Sequence, residues 1–207
     1  MDNTSGYCNI NNLTNKLKSQ NDPLFLNINI QSLNSKYEKL VEFINELLSL
    51  KLNIISIALQ EIWSIPYPDL LKIENFDLIF KQRSGGRGGG VGFYVRSDLS
   101  PKVLNNLSPY IENIFECLTI EITLSKKKII LSTFYRPPNN NKTSTDEFFY
   151  NFDILLNSLD RINIPYFIFG DANINLLKII YCPMARHYWE LFHNNGFSKG
   201  IFNATCI

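Results

Sequence analysis

Ile168-Phe169-Gly170-Asp171-Ala172-Asn173-Ile174 is the stretch from which the fold is most directly inferred. The apolar run 166–169 leads into it and stops at Gly170, as a buried strand does at the rim of a sheet. Strand alternation puts Asp171 and Asn173 on the same side if the strand extends that far. A carboxylate and an amide there can hold a hard metal ion and a phosphate oxygen. The stretch therefore predicts one wall of a site, or alternatively a turn or helix cap.

Composition indicates one ordinary globular domain. The chain has 207 residues, of which 45% are hydrophobic, and this is enough to build a sizeable core. The formal net charge of +1 argues against a protein that is held to nucleic acid by charge alone. No two cysteines form a C-x-x-C pair, so we expect reduced thiols and an intracellular protein. The cysteines are Cys8, Cys117, Cys182 and Cys206.

The first 22 residues form a polar leader, rich in Asn, Ser and Thr, which we expect to be loosely ordered. This leader lacks the apolar region of a secretory signal, and no apolar run in the chain is long enough to span a bilayer. We therefore expect a nuclear or cytoplasmic protein that is not secreted and has no membrane partner, with its domain over residues 23–207.

Hydrophobic periodicity predicts the order of secondary-structure elements. Strands are predicted at 24–30, 54–59, 76–81, 91–95, 115–124, 129–135 and 166–169, and helices at 34–50, 146–159 and 184–194. Thr145 is the expected N-cap of the second helix, Gly196 is the expected cap at the end of the third, and Lys126-Lys127-Lys128 is an expected turn. This order predicts an α/β fold with mostly antiparallel sheets and helices outside.

Polar residues terminate four of the predicted buried strands. They are Asn29, Gln60-Glu61, Tyr135-Arg136 and the pair Asp171 and Asn173. Each alone has an ordinary explanation, such as a solvated rim charge, a packed phenol or a turn. Together they form the set that phosphodiester hydrolysis needs, at the place where ligand sites gather.

The residue types suggest separate roles in that chemistry. Glu61 could hold a divalent metal ion, which neutralises the phosphate and stabilises the leaving oxygen. Asp171 could orient or deprotonate the attacking water. Asn29 and Asn173 could contact phosphate oxygens, and Tyr135 could donate a hydrogen bond to the pentacoordinate phosphate.

A glycine run over residues 85–90, interrupted by Arg87, resembles a phosphate-binding loop at first sight. It is not a G-x-x-x-x-G-K-[ST] motif and it opens a strand, so a flexible turn is the simpler interpretation. Basic residues nearby make contact with a nucleic-acid backbone a second hypothesis. The candidate contacts are Lys81, Arg83, Arg87 and Arg136.

Five segments of the chain form a recognisable set. They are residues 26–36, Leu59-Gln60-Glu61-Ile62-Trp63, residues 88–95, Phe134-Tyr135-Arg136-Pro137-Pro138 and Gly170-Asp171-Ala172-Asn173-Ile174. In this order they resemble the endonuclease/exonuclease/phosphatase superfamily, and more narrowly the N-terminal endonuclease domain of LINE-type (non-LTR) retrotransposon polyproteins. The combination of Gln-Glu-Ile-Trp, Gly-Gly-Gly-Val-Gly and Tyr-Arg-Pro-Pro is specific to the retrotransposon branch.

This resemblance implies a four-layer α/β sandwich of two mainly antiparallel sheets flanked by helices, like that of DNase I. It also implies a Mg2+-dependent nuclease, with Mn2+ as an alternative ion, that nicks DNA to prime reverse transcription. A reverse transcriptase domain is then expected downstream in the full-length parent. By position, Glu61 matches the family's metal-binding Glu and Tyr135 its active-site Tyr. Asn29, Asp171 and Asn173 match the remaining site residues.

The chain departs from the family pattern in three places. Ala172 replaces the usual Phe between the Asp and the Asn, which is expected to loosen that loop, and Asn175 stands where an acid is common. The chain also stops at residues 202–207, before the family's closing strand with Ser-Asp-His. His187 and His193 are not placed to substitute and are interpreted as surface or packing residues.

We expect two consequences of the missing strand. Loss of a His base and its orienting Asp typically lowers the rate on the order of 10³-fold or more, so the nuclease is expected to be impaired. Missing strands also leave sheet edges unpaired, so the domain is expected to be incomplete and able to self-associate. Two other functions compete: a catalytically inactive relic or nucleic-acid-binding remnant, and a phosphatase of small phosphoesters.

Overall fold

The computed structural model describes residues 21–85, 87–138 and 141–195. Three helices and nine strands are formed within these residues. The helices are α1 (Leu33–Ser49), α2 (Lys142–Arg161) and α3 (Pro183–Asn194). The strands are β1 (Pro23–Asn29), β2 (Asn53–Gln60), β3 (Phe76–Lys81), β4 (Val91–Arg96), β5 (Lys102–Val103), β6 (Tyr110–Ile111), β7 (Phe115–Leu124), β8 (Lys127–Tyr135) and β9 (Tyr166–Asp171).

The strands form two sheets. The first has the order β1-β2-β4-β3, and the second has the order β5-β7-β8-β9, with β6 also pairing with β7. Pairing is parallel between β1 and β2 and between β8 and β9, and antiparallel elsewhere. Because parallel strands end at the same edge, the residues that follow β1 and β2 lie side by side, as do those that end β8 and β9.

Three apolar clusters divide the molecule into four layers. One cluster lies between the sheets and includes Ile55, Phe93 and Leu131. A second packs α1 against the outer face of the first sheet, and a third packs α2 and α3 against the outer face of the second sheet. The predicted four-layer α/β sandwich of two mainly antiparallel sheets is confirmed.

The largest difference from the predicted elements is the start of α2. The helix begins at Lys142, and the Asn141 side chain accepts from the Thr143 N–H at 2.9 Å. Thr145, the predicted N-cap, lies in the first turn instead. The prediction was wrong because Asn and Thr are both favourable caps and the apolar face of the helix begins only further along.

The hairpin turn between β7 and β8 is also shorter than predicted. Ser125 and Lys126 form it, with φ of 50° and 66°, and Lys127 and Lys128 already belong to β8. Lys128 pairs there with Glu121 at 2.8 Å, an ion pair across neighbouring strands. Lysine is unfavourable in strands in general, but a cross-strand acid offsets that preference.

Some predictions lie outside the described residues. These are the leader apart from residues 21 and 22, the Gly196 cap, and the chain end at 202–207. Among the helices that the structure describes, none combines the length and apolar character needed to cross a bilayer.

Candidate active site

Asn29 joins the two carboxylates that the sequence places far apart. Its side-chain N–H₂ donates to Glu61 Oε1 at 2.8 Å and to Asp171 Oδ2 at 2.7 Å. Glu61 directly follows β2, Asn29 ends β1 and Asp171 ends β9, so the two sheets meet at this bridge. The structure therefore brings together the three residues as expected, although 142 positions separate Asn29 from Asp171.

Glu61 is held on a backbone conformation that favours glycine. Its φ is 54°, and its carbonyl accepts from the Ser32 N–H at 2.8 Å at the start of α1. On the other side, Ile62 N–H donates to the Gly90 carbonyl at 3.3 Å. Such conformations cost about 1–3 kcal/mol and persist where the surroundings impose them, often at functional sites. The backbone of Glu61 is thus fixed between α1 and the glycine segment, residues 88–90.

The Asp171 loop is closed by hydrogen bonds among three residues. Asn173 N–H donates to Asp171 Oδ1 at 2.9 Å, and Asn173 Nδ2 donates to the Arg136 carbonyl at 2.7 Å. Arg136 N–H in turn donates to the Asp171 carbonyl at 2.9 Å. The Asn173 amide therefore orients the loop that carries Asp171, and the phosphate contact expected of it stays a prediction.

Arg136 points into the protein. Its side chain is 2% exposed and donates to the Ala172 carbonyl at 3.2 Å and to Thr145 Oγ1 at 3.1 Å. It also contacts Met184 Sδ at 3.8 Å, and burial lowers the pKa of the guanidinium. In place of the nucleic-acid contact expected from the sequence, this geometry makes Arg136 an internal tie between the Asp171 loop, α2 and α3.

Tyr135 lies beside the carboxylate pair. It ends β8 in register with Asp171 and is 5% exposed. Burial raises the pKa of Tyr135 most, and the negative charges of Glu61 and Asp171 raise it further. The side chain is therefore a neutral phenol at physiological pH and can donate a hydrogen bond to an anionic oxygen.

The oxygen atoms at this bridge fit a small hard cation. The described residues contain no cluster of three or more His, Cys, Asp or Glu side chains. Mg2+ does not require one, because it is usually held by one or two carboxylates and keeps several waters. Glu61 and Asp171 supply the carboxylates. Asn29 Oδ1 is buried and has no hydrogen-bond partner among the described residues, so an oxygen ligand is also unsatisfied at this point.

Gln60, which ends a predicted strand beside Glu61, supports the site from behind. Its Nε2 donates to Asn27 Oδ1 at 2.8 Å and to Thr133 Oγ1 at 2.7 Å. The side chain is fully buried and links the first sheet to β8 of the second. An amide at the end of an otherwise apolar buried strand is the sequence signal for such a supporting role.

Glu116 is a residue that the sequence analysis missed. It is fully buried in β7 and accepts from Arg83 Nε at 2.6 Å, from the Gly90 N–H, and from the Asn113 N–H at 3.2 Å. A Cβ on Gly89 would lie 2.1 Å from Arg83 Nε, so a side chain there would displace the guanidinium from Glu116, and the φ of 68° also favours glycine. Arg83, expected to contact nucleic acid, is therefore committed to an internal ion pair that shapes the glycine segment.

The remaining two basic candidates differ in exposure. Lys81 Nζ donates to the Ser108 carbonyl at 2.9 Å, and partial burial lowers its pKa. Arg87 is exposed, and its guanidinium stacks on the Trp63 ring at 4.7 Å from the centroid. A nucleic-acid contact stays a prediction for both, and of the four candidates Arg87 is the most accessible.

The histidines and Ala172 lie where the sequence analysis expected little chemistry. His187 and His193 are exposed on α3, and the His187 ring packs edge-on against Phe149 at 4.5 Å. Ala172 is buried in the third cluster, and its carbonyl is held by Arg136. Whether the small side chain loosens this loop stays a prediction.

The sequence profile of the Endonuclease/Exonuclease/phosphatase family matches residues 24–203, which is most of the chain. A comparison with curated proteins finds no match.

Solved structures of this fold are similar to the chain. The endonuclease domain of TRAS1, a telomere-specific non-LTR retrotransposon, has 16% identity and a TM-score of 0.59, over 86% of this chain and 74% of that one. The AP endonuclease LMAP from Leishmania major has 15% identity and a TM-score of 0.63, over 83% and 66%. The mannosyl-6-phosphatase Bt3783 from Bacteroides thetaiotaomicron has 14% identity and a TM-score of 0.56, over 80% and 69%.

Identities this low establish the fold and leave the reaction to be argued from the site. The chain spans 66% to 74% of the length of these three structures. Because the sequence profile matches residues 24–203, the chain belongs to the Endonuclease/Exonuclease/phosphatase family.

Proposed function

We propose that this chain is a divalent-metal-dependent DNA endonuclease domain that hydrolyses a phosphodiester bond. The observation that carries the proposal is the bridge from Asn29 to Glu61 at 2.8 Å and to Asp171 at 2.7 Å, with Tyr135 beside it. Two carboxylates, an orphaned amide oxygen and a neutral phenol converge at one edge of the sandwich. This combination suits the hydrolysis of a phosphate ester.

Glu61 and Asn29 Oδ1 are the residues proposed to hold the metal, with Mg2+ as the expected ion and Mn2+ as the alternative. When bound, the ion would neutralise phosphate charge and stabilise the leaving oxygen. The fixed backbone of Glu61 means that its carboxylate needs little reorganisation to do this.

Asp171 is proposed to orient the attacking water and to accept its proton. The Asn173 N–H and the Asn29 amide fix both of its oxygens, which directs the carboxylate. The water oxygen bonds to phosphorus, the bond from phosphorus to the leaving oxygen breaks, and the proton passes to Asp171. Tyr135 donates a hydrogen bond to a non-bridging oxygen as negative charge builds there.

Nicking of supercoiled plasmid tests this proposal. With Mg2+ the chain should convert supercoiled DNA to the open circle, and EDTA should stop the reaction. Glu61→Gln keeps the shape of the side chain and removes the ligand charge, so the rate should fall on the order of 10²-fold or more.

Glu74→Gln is the matched control, because Glu74 is exposed on the loop before β3. It should nick at the rate of the unaltered chain. Equal rates for the Glu61→Gln and Glu74→Gln variants would contradict the assignment of Glu61. Nicking that is insensitive to EDTA would contradict metal dependence.

A narrower proposal is that the nick primes reverse transcription, in an element whose reverse transcriptase is encoded downstream. The similarity to the TRAS1 endonuclease domain supports it. A nick that serves this purpose must leave a 3′ hydroxyl, so a template-dependent polymerase should extend it and incorporate labelled nucleotides. A 3′ phosphate at the nick would exclude the priming role and leave the nuclease assignment intact.

A small-phosphoester phosphatase is the second candidate, because a mannosyl-6-phosphatase shares the fold. Turnover of p-nitrophenyl phosphate or mannose 6-phosphate, with no nicking of DNA, would reverse the ranking. Salt-dependent binding of DNA without turnover of either substrate would instead identify a non-catalytic binding remnant.

A further inference from the structure

The pair formed by Trp63 and Arg87 occupies the rim of the site and has no role in the proposed hydrolysis. Trp63 follows Glu61 by two positions, so their Cα atoms are at most about 7 Å apart. The Arg87 guanidinium stacks over the indole at 4.7 Å from its centroid. An aromatic face and a cation therefore adjoin the carboxylate proposed to hold the metal.

The backbone of Trp63 is held in a defined position beside Glu61. Its N–H donates to the Gly89 carbonyl at 2.9 Å, beside the bond from Ile62 to Gly90. Its φ is 61°, which is rare for a bulky side chain and costs free energy. The backbone from Glu61 to Trp63 is thus fixed as a unit against residues 89 and 90, which keeps the indole beside the proposed metal ligand.

Arg87 has unused binding capacity. It is exposed and forms no ion pair with the described residues, whereas Arg83 and Arg96 are paired with Glu116 and Asp98. The indole of Trp63 beside it is partly exposed. An exposed cation without a paired acid is suited to an anionic ligand.

We propose that Trp63 and Arg87 form a nucleotide-stacking platform, which holds an unstacked base of the DNA beside the phosphodiester bond to be cut. The inference rests on the proposed DNA endonuclease function. The indole offers a face for the base, and Arg87 offers charge to the adjacent phosphate. Because both faces of a paired base are already stacked, the platform selects DNA with an unpaired or flexible nucleotide at the cleavage position.

Binding without cleavage tests the platform separately from catalysis. A duplex with one unpaired thymidine and the fully paired duplex of the same flanking sequence are titrated in EDTA, and Kd is read by fluorescence anisotropy. The bulged duplex should bind more tightly. Trp63→Ala should weaken its binding roughly 5- to 150-fold and leave the paired duplex little changed, and Trp63→Phe should retain most of the preference.

An abasic site in place of the unpaired thymidine completes a double-mutant cycle. The missing base should weaken binding to the unaltered chain by a similar factor, and should cause no further loss in Trp63→Ala. Misfolding alone would weaken binding to all three duplexes equally. Arg87→Ala should reduce the slope of log Kd against log salt by about 1, the change expected for one phosphate contact.

Fluorescence gives a direct readout in a Trp189→Phe background, which leaves Trp63 as the single tryptophan. Stacking should quench its emission with the bulged duplex and not with the abasic one. The same ratio of Kd values for the bulged and paired duplexes in Trp63→Ala and in the unaltered chain would overturn the platform. If the ratio changes as expected and Mg2+-dependent nicking is absent, the endonuclease proposal fails and the platform stands.

Discussion

At the scale of single residues, Arg136 has the largest structural consequence outside the carboxylate pair. Its backbone and side chain contact the Asp171 loop at three points, and its guanidinium reaches Thr145 on α2 and Met184 on α3. A planar group with several N–H donors is needed to make these contacts together, and lysine cannot reproduce them.

We predict that Arg136→Lys lowers kcat for nicking by about 10²-fold, because a shift of Asp171 by about 1 Å is enough for a loss of that size. KM should change less, since Arg136 is buried and does not face the substrate. Steady-state kinetics on plasmid DNA measure both constants. Arg161→Lys, on the exposed end of α2, is the matched control and should have normal kinetics.

A rise in KM with unchanged kcat for Arg136→Lys would contradict this role. That result would instead support the nucleic-acid contact that the sequence suggests for this residue.

At the scale of elements, α2 is attached to the second sheet by aromatic rings. Phe152 lies at the centre, with ring centroids 5.0 Å from Phe134 and 5.8 Å from Phe115. Tyr188 and Phe192 of α3 contact the same ring at 5.7 and 5.5 Å. Edge-to-face and offset pairs of this kind add about 0.5–1.5 kcal/mol each beyond the burial of area.

We predict that Phe152→Ala lowers the free energy of unfolding by roughly 3–5 kcal/mol, because the fully buried ring leaves a cavity that several rigid rings cannot fill. Urea denaturation followed by circular dichroism measures the change. Tyr150→Ala is the control on the same helix. Tyr150 is 68% exposed, so its removal should cost less than about 0.5 kcal/mol.

Similar losses for Phe152→Ala and Tyr150→Ala would show that α2 is not attached to the sheet through this cluster.

Element prediction from the sequence succeeded where periodicity was strong. β3 and β7 have the predicted bounds, and α1 is displaced by one residue at each end. The two-residue strands β5 and β6 were not predicted, because so short a segment carries no period. Their pairing with β7 depends on the neighbouring strand and not on their own residues.

At the scale of the whole molecule, buried tyrosines link stability to alkaline pH. Burial is the main cause that raises the pKa of Tyr94, Tyr110, Tyr135 and Tyr188 above the usual value of 10.0. Above that pH the unfolded chain releases these protons and the native chain keeps them. The unfolded state then binds fewer protons, so the free energy of unfolding falls as pH rises.

We therefore predict that these tyrosines do not change the free energy of unfolding below about pH 10, and that they lower it progressively above that pH. Urea denaturation at pH 8, 10 and 11 measures the free energy of unfolding, and absorbance at 295 nm reports phenolate. Tyr94→Phe removes one of these phenols and should make the decline shallower. Stability that stays level to pH 11 would contradict the linkage.

The edge of the second sheet bears on the predicted self-association. β9 is an edge strand and pairs with β8 alone among the described strands. Phe167 in β9 is 44% exposed and stacks on Phe25 of β1 at 5.0 Å. An unpaired strand edge with an exposed aromatic residue favours pairing with another chain.

We predict concentration-dependent self-association, measured by size-exclusion chromatography with light scattering. Phe167→Lys should shift the chain toward the monomer, since lysine at a strand edge disfavours edge-to-edge pairing. The control is Tyr67→Lys, which is more exposed than Phe167, at 69%, and lies on the loop between β2 and β3, so it should leave the association unchanged. A monomer at all concentrations would contradict the prediction.

The sequence by itself determined the order of the longer elements and an α/β fold, and its family resemblance implied the four layers and the five candidate site residues. Periodicity and the residues that end strands are local properties, and the five segments occur in the family's order. The tertiary structure alone decided which side chains meet. Asn29 contacts a residue 142 positions away only because β1 and β9 end at neighbouring edges of two packed sheets. The tertiary structure also decided the environment of each basic side chain, because that environment depends on non-local packing. Arg83 pairs with buried Glu116 and Arg136 is buried, whereas Arg87 stacks on Trp63.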